Sequence, residues 1–327
     1  MFHLVPPLLA AGHREDFMLN YTLRRLMAVI PTILILIVAC FFLMRLAPGG
    51  PFTSERPLPP AVMKNVLERY GLDEPLYVQL WTYLKNIVLH FDFGPSFAQK
   101  DRSVNDLIAQ GFPVTLTYGF FSAIFVLAIG IPLGVVAALR HNSFWDYVMT
   151  GLAIFSQIFP NFVLAPIMVL LFTLSWGLLP GGGWNGGQWP YVIMPAVALG
   201  TSYMASVARL TRGSLLETLS APYIRTARAK GLPEHTVLIR HALKPALLPV
   251  ISYMGPVFVY MITGSVFIDI FFSTGGIGQN FIDAAYTRDY AVILGLAILY
   301  SVLTFVLLLL VDLIYAWIDP KVRSDMS

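Results

Sequence analysis

Charged residues are so unevenly spread along this chain that its architecture can be read from the gaps between them. No Asp, Glu, Lys or Arg occurs in Leu26–Met44, Leu107–Leu139, Tyr147–Ala208, Pro245–Ile268 or Tyr290–Val311. A hydrocarbon core of about 30 Å is crossed by about 20 apolar residues in a helix, so four of these runs are each read as one span. The third run is too long for one. It is interrupted at Leu179–Pro190, where Gly181, Gly182, Gly183, Gly186 and Gly187 lie between Pro180 and Pro190. Helix cannot continue through such a stretch at reasonable cost, and Trp184 and Trp189 suit a membrane–water boundary. The pattern therefore predicts an all-α polytopic membrane protein with six transmembrane helices, near residues 25–46, 113–139, 147–178, 191–211, 247–271 and 291–316. The first run is too long for a cleaved signal peptide and no small-residue cleavage site follows it, so it reads as a retained helix. Residues 1–24 form a mixed lead-in in which Met18 is an alternative start.

Composition agrees with this picture. Hydrophobic residues make up 57% and charged residues 12% of the 327, where a soluble domain carries roughly 25% charge. Mean hydropathy is +0.71. Disorder, a disulfide scaffold and a nucleic-acid-binding domain are excluded as descriptions of the whole chain. Cys40 is the single cysteine and reads as a small apolar side chain.

The net charge of +3 matters through its placement. Arg24 and Arg25 precede the first span, and Lys321 and Arg323 follow the last. Residues 209–246 carry Arg209, Arg212, Arg225, Arg228, Lys230, Arg240 and Lys244 against Glu217 and Glu234, whereas residues 179–190 carry no charge. Basic loops stay cytoplasmic, so both termini and the 209–246 loop are expected on that side. Residues 47–112 form a polar insertion on the outer side and residues 317–327 a cytoplasmic tail. Within the insertion, Ala61–Tyr70 and Leu76–His90 read as helices, the second with a broad apolar face.

Catalytic signatures are missing. There is no G-x-x-x-x-G-K-[ST] phosphate loop, and His3, His13, His90, His141, His235 and His241 have no metal-ligand spacing. The glycine stretches at 181–187 and 275–278 read as outer loop turns. Arg45, Asp269 and Asp312 fall at the ends of spans, and the absence of a mid-membrane acid argues against an ion-coupled carrier. Gly119, Ser122, Ala123, Gly255, Gly264 and Ser265 are read as close-packing positions in preference to a pore lining.

The informative chemistry lies in the loop at residues 212–246. In Ser220-Ala221-Pro222-Tyr223-Ile224-Arg225-Thr226-Ala227-Arg228-Ala229-Lys230-Gly231-Leu232-Pro233, Ser220 is the expected N-cap and Pro222 lies in the first turn. Gly231 is expected just past the C-terminus, and Pro233 stops continuation. A helix from Pro222 to Lys230 is about 13 Å long and too short to stand alone in water. It needs neighbours or a partner. Ala227 and Ala229 are read as allowing close approach, with Arg225, Arg228 and Lys230 as donors to carboxylates and helix ends.

This segment, followed by Arg240-His241-Ala242-Leu243, resembles the "EAA" coupling loop of type I ABC importer permeases. The name-giving Glu-Ala-Ala falls on Arg225, Thr226 and Ala227, so only the last Ala matches, with Gly231 four residues on. The family's Leu-Pro falls on Leu243-Lys244, with Pro245 one place late. The likeness extends over nearly the whole chain from Met18. Leu46-Ala47-Pro48-Gly49-Gly50-Pro51-Phe52, Asp92-Phe93-Gly94-Pro95-Ser96, Ser103-Val104-Asn105-Asp106-Leu107, Gly264-Ser265-Val266-Phe267-Ile268, Gly275-Gly276-Ile277-Gly278 and Asp319-Pro320-Lys321-Val322-Arg323 are all similar to the oligopeptide-permease branch. The long outer insertion favours its B-type membrane subunit over the C-type.

The resemblance implies a transporter subunit and not an enzyme. The chain would be half of a heterodimer with a C-type permease in the bacterial inner membrane. Two cytoplasmic ATPase subunits would bind ATP and Mg²⁺, which leaves no cofactor in this chain. An extracytoplasmic peptide-binding protein would deliver substrate. Tyr223, Arg225, Thr226, Ala227, Arg228, Ala229, Lys230 and Gly231 are the expected ATPase-coupling residues. Membrane lipid is the remaining partner, and nucleic acid is not one. The alternative reading is an ion-gradient-driven secondary carrier.

Overall fold

Thirteen helical segments account for most of the computed structural model, which describes residues 7–46, 64, 67, 68, 71–263 and 266–318. They are α1 (Pro7–Leu46), α2 (Leu76–His90), α3 (Val104–Leu139), α4 (Phe144–Ile158), α5 (Asn161–Met168), α6 (Trp189–Ser220), α7 (Pro222–Ala229), α8 (Glu234–Thr236), α9 (Lys244–Ala246), α10 (Leu248–Thr263), α11 (Val266–Phe271), α12 (Ile277–Thr287) and α13 (Tyr290–Ile318). Wider π-helical turns continue α5 over Val169–Ser175 and link α8 to α9 over Val237–Leu243. The described residues contain no β-strand, only a single antiparallel bridge between Pro95 and Ser103. Among the described residues five helices are long and apolar enough to cross a membrane, and the bent pair Phe144–Ile158 and Asn161–Ser175 makes six if it is one span.

That pair departs from the single span expected at 147–178. Its two halves meet at an angle of 102°. Pro160 has no N–H to give, and Phe159 before it is extended, with φ −86° and ψ 109°. Two other spans begin earlier than expected. The helix expected from 113 starts at Val104, and the one expected from 191 starts at Trp189 and runs on to Ser220. The helix expected over Ala61–Tyr70 lies largely outside the described residues, as do Gly264 and Ser265.

The chain divides into two units, residues 1–106 with 283–327, and residues 107–282. In the first, α1 lies along α13. The turn before α3 is held by a reciprocal cap. Ser103 Oγ accepts from the Asp106 N–H at 3.1 Å, while the Asp106 carboxylate accepts from the Ser103 N–H at 2.9 Å. Asp289 closes the start of α13. Its Oδ1 accepts from Val292 N–H at 3.3 Å, and its Oδ2 from Ser96 Oγ and the Ala98 N–H.

The second unit buries Val126, Ala165, Met194, Leu199, Val207, Met261 and Phe272 in one core. Glycines set the closest crossings. A methyl group at Gly134 would overlap the Ala208 carbonyl oxygen and Thr211, so α3 and α6 touch backbone to backbone there. At Gly119 a methyl would come 2.8 Å from Ile262, and at Gly182 2.5 Å from the Phe272 carbonyl oxygen. Gly119 is therefore a packing position, as expected. The 181–187 stretch is more than a turn, since Gly183 donates to the Phe272 carbonyl at 2.6 Å. Asp269, expected merely to terminate a span, is fully buried, accepting from Thr274 Oγ1 at 2.8 Å and Gly278 N–H at 3.0 Å. Its carboxylate leaves no room for a side chain at Gly276.

Candidate functional site

The loop at 212–246 is built from the end of α6 downward. Pro222 forces the residue before it out of helical geometry, and Ala221 is extended at φ −66°, ψ 147°. One residue therefore separates α6 from α7. Ser220, expected to cap α7, is instead the last residue of α6, and its Oγ donates back to the Glu217 carbonyl at 2.7 Å. The helix stays regular up to the residue that Pro222 constrains, which leaves Ser220 one place too early to act as a cap.

The other end of α7 follows the sequence closely. Gly231 adopts φ +76°, the left-handed geometry in which glycine carries no Cβ penalty. Its N–H donates to the Arg228 carbonyl at 2.9 Å, and Leu232 N–H to the Ala227 carbonyl at 3.4 Å. Together these make a Schellman closure. The helix is eight residues long, about 12 Å.

Neighbours within the same unit hold this short helix. Ile224 is fully buried and Ala227 nearly so, in a cluster with Ala138, Leu215, Val237, Ala242 and Ala246. Tyr223, Arg225, Thr226, Arg228, Ala229, Lys230 and Gly231 are exposed. Seven of the eight expected coupling residues thus share the open face and ends of α7. Ala227 does not; it admits the helix to its own chain, not a partner to the helix. Arg228 is already engaged, with Nη2 2.5 Å and Nε 3.2 Å from the Glu234 carboxylate. The guanidinium holds the Glu234 carboxyl below its usual range, and the carboxylate raises Arg228 in return.

A second constellation braces α6 just before α7. Asp146, on the first turn of α4, accepts from Arg212 Nε at 2.7 Å and Nη2 at 2.8 Å. It also accepts from the Asn142 N–H at 2.9 Å and Thr150 Oγ1 at 3.3 Å, and lies 3.2 Å from His141 Nδ1. The partners are 66 residues apart, so Arg212 reads in sequence only as one more basic loop residue. Nothing in the local spacing pairs it with Asp146.

Residues 130–324 match the family described as binding-protein-dependent transport system inner membrane component, and residues 18–119 match the N-terminal component of the same systems. The chain belongs to the binding-protein-dependent transport permeases. It is 52% identical over 306 residues to the oligopeptide transport system permease protein OppB of Escherichia coli (strain K12), covering 94% of this chain and 100% of that one. OppB of Haemophilus influenzae is 49% identical over the same coverage. The dipeptide transport system permease protein DppB of Bacillus subtilis is 40% identical, covering 94% of this chain and 98% of its own. Among solved structures, an inward-facing form of the MetNI methionine ABC transporter aligns with a TM-score of 0.55 at 19% identity, over 65% of this permease and 96% of that chain. The fold is thus that of an ABC importer permease. The chain is a membrane-spanning transport component and not an enzyme, and it works with a binding protein.

Proposed function

We propose that this permease is the B-type half of an ATP-driven oligopeptide importer and that α7 is its coupling helix. The observation carrying the second part is the split of α7 into two faces. Ile224 and Ala227 are locked into the permease, while Tyr223, Arg225, Thr226 and Lys230 are left open. A helix too short to persist alone is held by its own chain in a shape that a partner can push. The substrate class is supported by identity to oligopeptide and dipeptide permeases over nearly the full chain.

In this reading a C-type permease completes the membrane heterodimer. Two ATPase chains hold ATP and Mg²⁺ and dock on the coupling helices, and a peptide-binding protein delivers cargo on the other side. The excess of basic residues in 209–246 supports a cytoplasmic α7, and with it cytoplasmic termini.

The test uses the four membrane and ATPase chains in proteoliposomes with the binding protein. Arg225→Glu alters the open face and Gly231→Val strains the closure, costing roughly 1–2 kcal/mol at the left-handed position. Both should lower peptide-stimulated ATP hydrolysis at least tenfold while the permease still inserts. Wild-type stimulation in both variants, or peptide uptake by this permease alone on an ion gradient, overturns the reading.

A further inference from the structure

The first unit contains a cavity to which α7 contributes no residue. It is about 340 Å³ and lies where the end of α1, the inner face of α2 and the start of α13 meet. Phe41, Met44, Val78, Phe93 and Leu294 make most of its wall apolar, Arg45 brings a guanidinium to it, and the solvent-exposed Glu74 also lines it. Arg45 is half-buried, lies 5.3 Å from the Phe41 ring, and has no carboxylate partner among the described residues. Two further wall atoms, Tyr83 Oη and Gln79 Oε1, are closed off from solvent without a hydrogen-bond partner. A buried polar atom left without a partner is unfavourable, so the wall is poised for a polar occupant.

Its depth is set independently. Arg45 is the penultimate residue of a 20-residue apolar span, Met27–Leu46. The outer side of α2 exposes Tyr77 and Trp81, the residue types that collect at headgroup level. A second groove of about 380 Å³ runs between the same two long helices, lined by Ala28, Thr32, Ile33, Val302, Phe305 and Leu309. Along α1 that groove lies twelve to seventeen residues from Arg45, roughly 18–26 Å of helix, which is beyond one leaflet of hydrocarbon at about half of 30 Å.

We propose that this cavity is a phospholipid site, with Arg45 holding the headgroup phosphate. A guanidinium recognises phosphate by paired hydrogen bonds, and the apolar wall excludes a freely hydrated anion. The orphan Tyr83 hydroxyl supplies a further donor and Gln79 Oε1 an acceptor after a small inward movement onto the bound headgroup. The occupant seals a gap that side chains leave between α1 and α13.

The test begins with the unaltered complex, assembled with its partner chains in detergent and exposed to a photoactivatable phosphatidylglycerol. Cross-links should concentrate in peptides containing Phe41–Arg45 and Tyr290–Leu294; labelling spread evenly over the membrane helices overturns the site. Native mass spectrometry then compares phosphatidylglycerol, phosphatidylethanolamine and palmitate. One phospholipid should persist through delipidation and weaken at least tenfold in Arg45→Gln, with Lys85→Gln on the exposed side of α2 unchanged. Val78→Trp fills the cavity while keeping the arginine and should expel the lipid equally. Equal loss in Lys85→Gln shows only diffuse charge attraction, and palmitate binding as tightly as either phospholipid removes the phosphate assignment; either result refutes the proposal. None of these readouts involves α7, so they stand or fall separately from the coupling assay.

Discussion

Arg212→Ala isolates a buried carboxylate, and the surroundings of Asp146 set the size of the effect. The Asp146 side chain is 4% exposed and that of Arg212 28%. The variant deletes two charge-assisted hydrogen bonds, at 2.7 and 2.8 Å. Removing one partner of a buried pair costs about 3–5 kcal/mol when the remaining charge is stranded. Here the Asn142 N–H, Thr150 and His141 remain on the carboxylate, and water can enter where the partly exposed arginine stood. The expected loss is therefore about 2–3 kcal/mol, at or below the low end of that range. Asp146→Asn should cost less, about 1–2 kcal/mol, because the freed arginine can turn towards solvent while the amide keeps the shape. The double variant should fall short of additivity by about 1 kcal/mol. Graded SDS unfolding of the detergent-solubilised protein, followed by tryptophan fluorescence, gives all three values. If Asp146→Asn proves as costly as Arg212→Ala, or the two effects add within about 0.5 kcal/mol, the pair is not the buried lock described here.

Three further outcomes follow from single sites. Gly134→Val forces a branched side chain onto the Ala208 carbonyl and Thr211, which should separate α3 from α6 and cost at least about 1–3 kcal/mol, read by the same unfolding assay. Ser103→Ala removes one half of the cap on α3 and should cost about 0.5–2 kcal/mol, with a rise in hydrogen exchange confined to the first turn of that helix. Glu234 has a lowered folded-state pKa, so its pairing with Arg228 is fully present above the ordinary glutamate range and is lost only as pH falls through the lowered value. Amide exchange at the end of α7, corrected for intrinsic rate, should therefore be flat from pH 8 to about 5.5, whereas Glu234→Gln should raise it several-fold at every pH in that window.

The spans were legible because charge is excluded from hydrocarbon, and five long runs free of charge leave few alternatives. Their ends were less so. Asp106 lies just ahead of the charge-free run that starts at Leu107, yet it belongs inside α3 as the reciprocal cap to Ser103. Pro160 signals the bend between α4 and α5 locally, but sits in an uninterrupted hydrophobic run whose periodicity hides the break. The α7 segment was legible at Gly231, where a left-handed position needs glycine, and misread at Ser220, where two helices lie one residue apart. Arg212 with Asp146, and Asp269 with Gly276 and Gly278, could not be found from spacing, because their meaning depends on what the fold brings alongside.

If α7 is the coupling helix, as proposed, these same contacts are the route by which a short surface helix would act on a membrane core. Ile224 and Ala227 enter a cluster with Leu215 of α6 and Ala138 of α3, so a displacement of α7 loads both long helices at once. Close-packed interiors shift between discrete arrangements instead of deforming smoothly. About one turn before Leu215, Arg212 ties α6 to α4, and at the next turn Thr211 and Ala208 meet Gly134 with no side chain between. A single residue, Ala221, separates α7 from this braced stretch. With so little compliant chain between them, a push on the exposed face of α7 reaches α6 as a rigid-body displacement, and the load is carried on to α3 and α4 through contacts that cannot slide without breaking a buried ion pair.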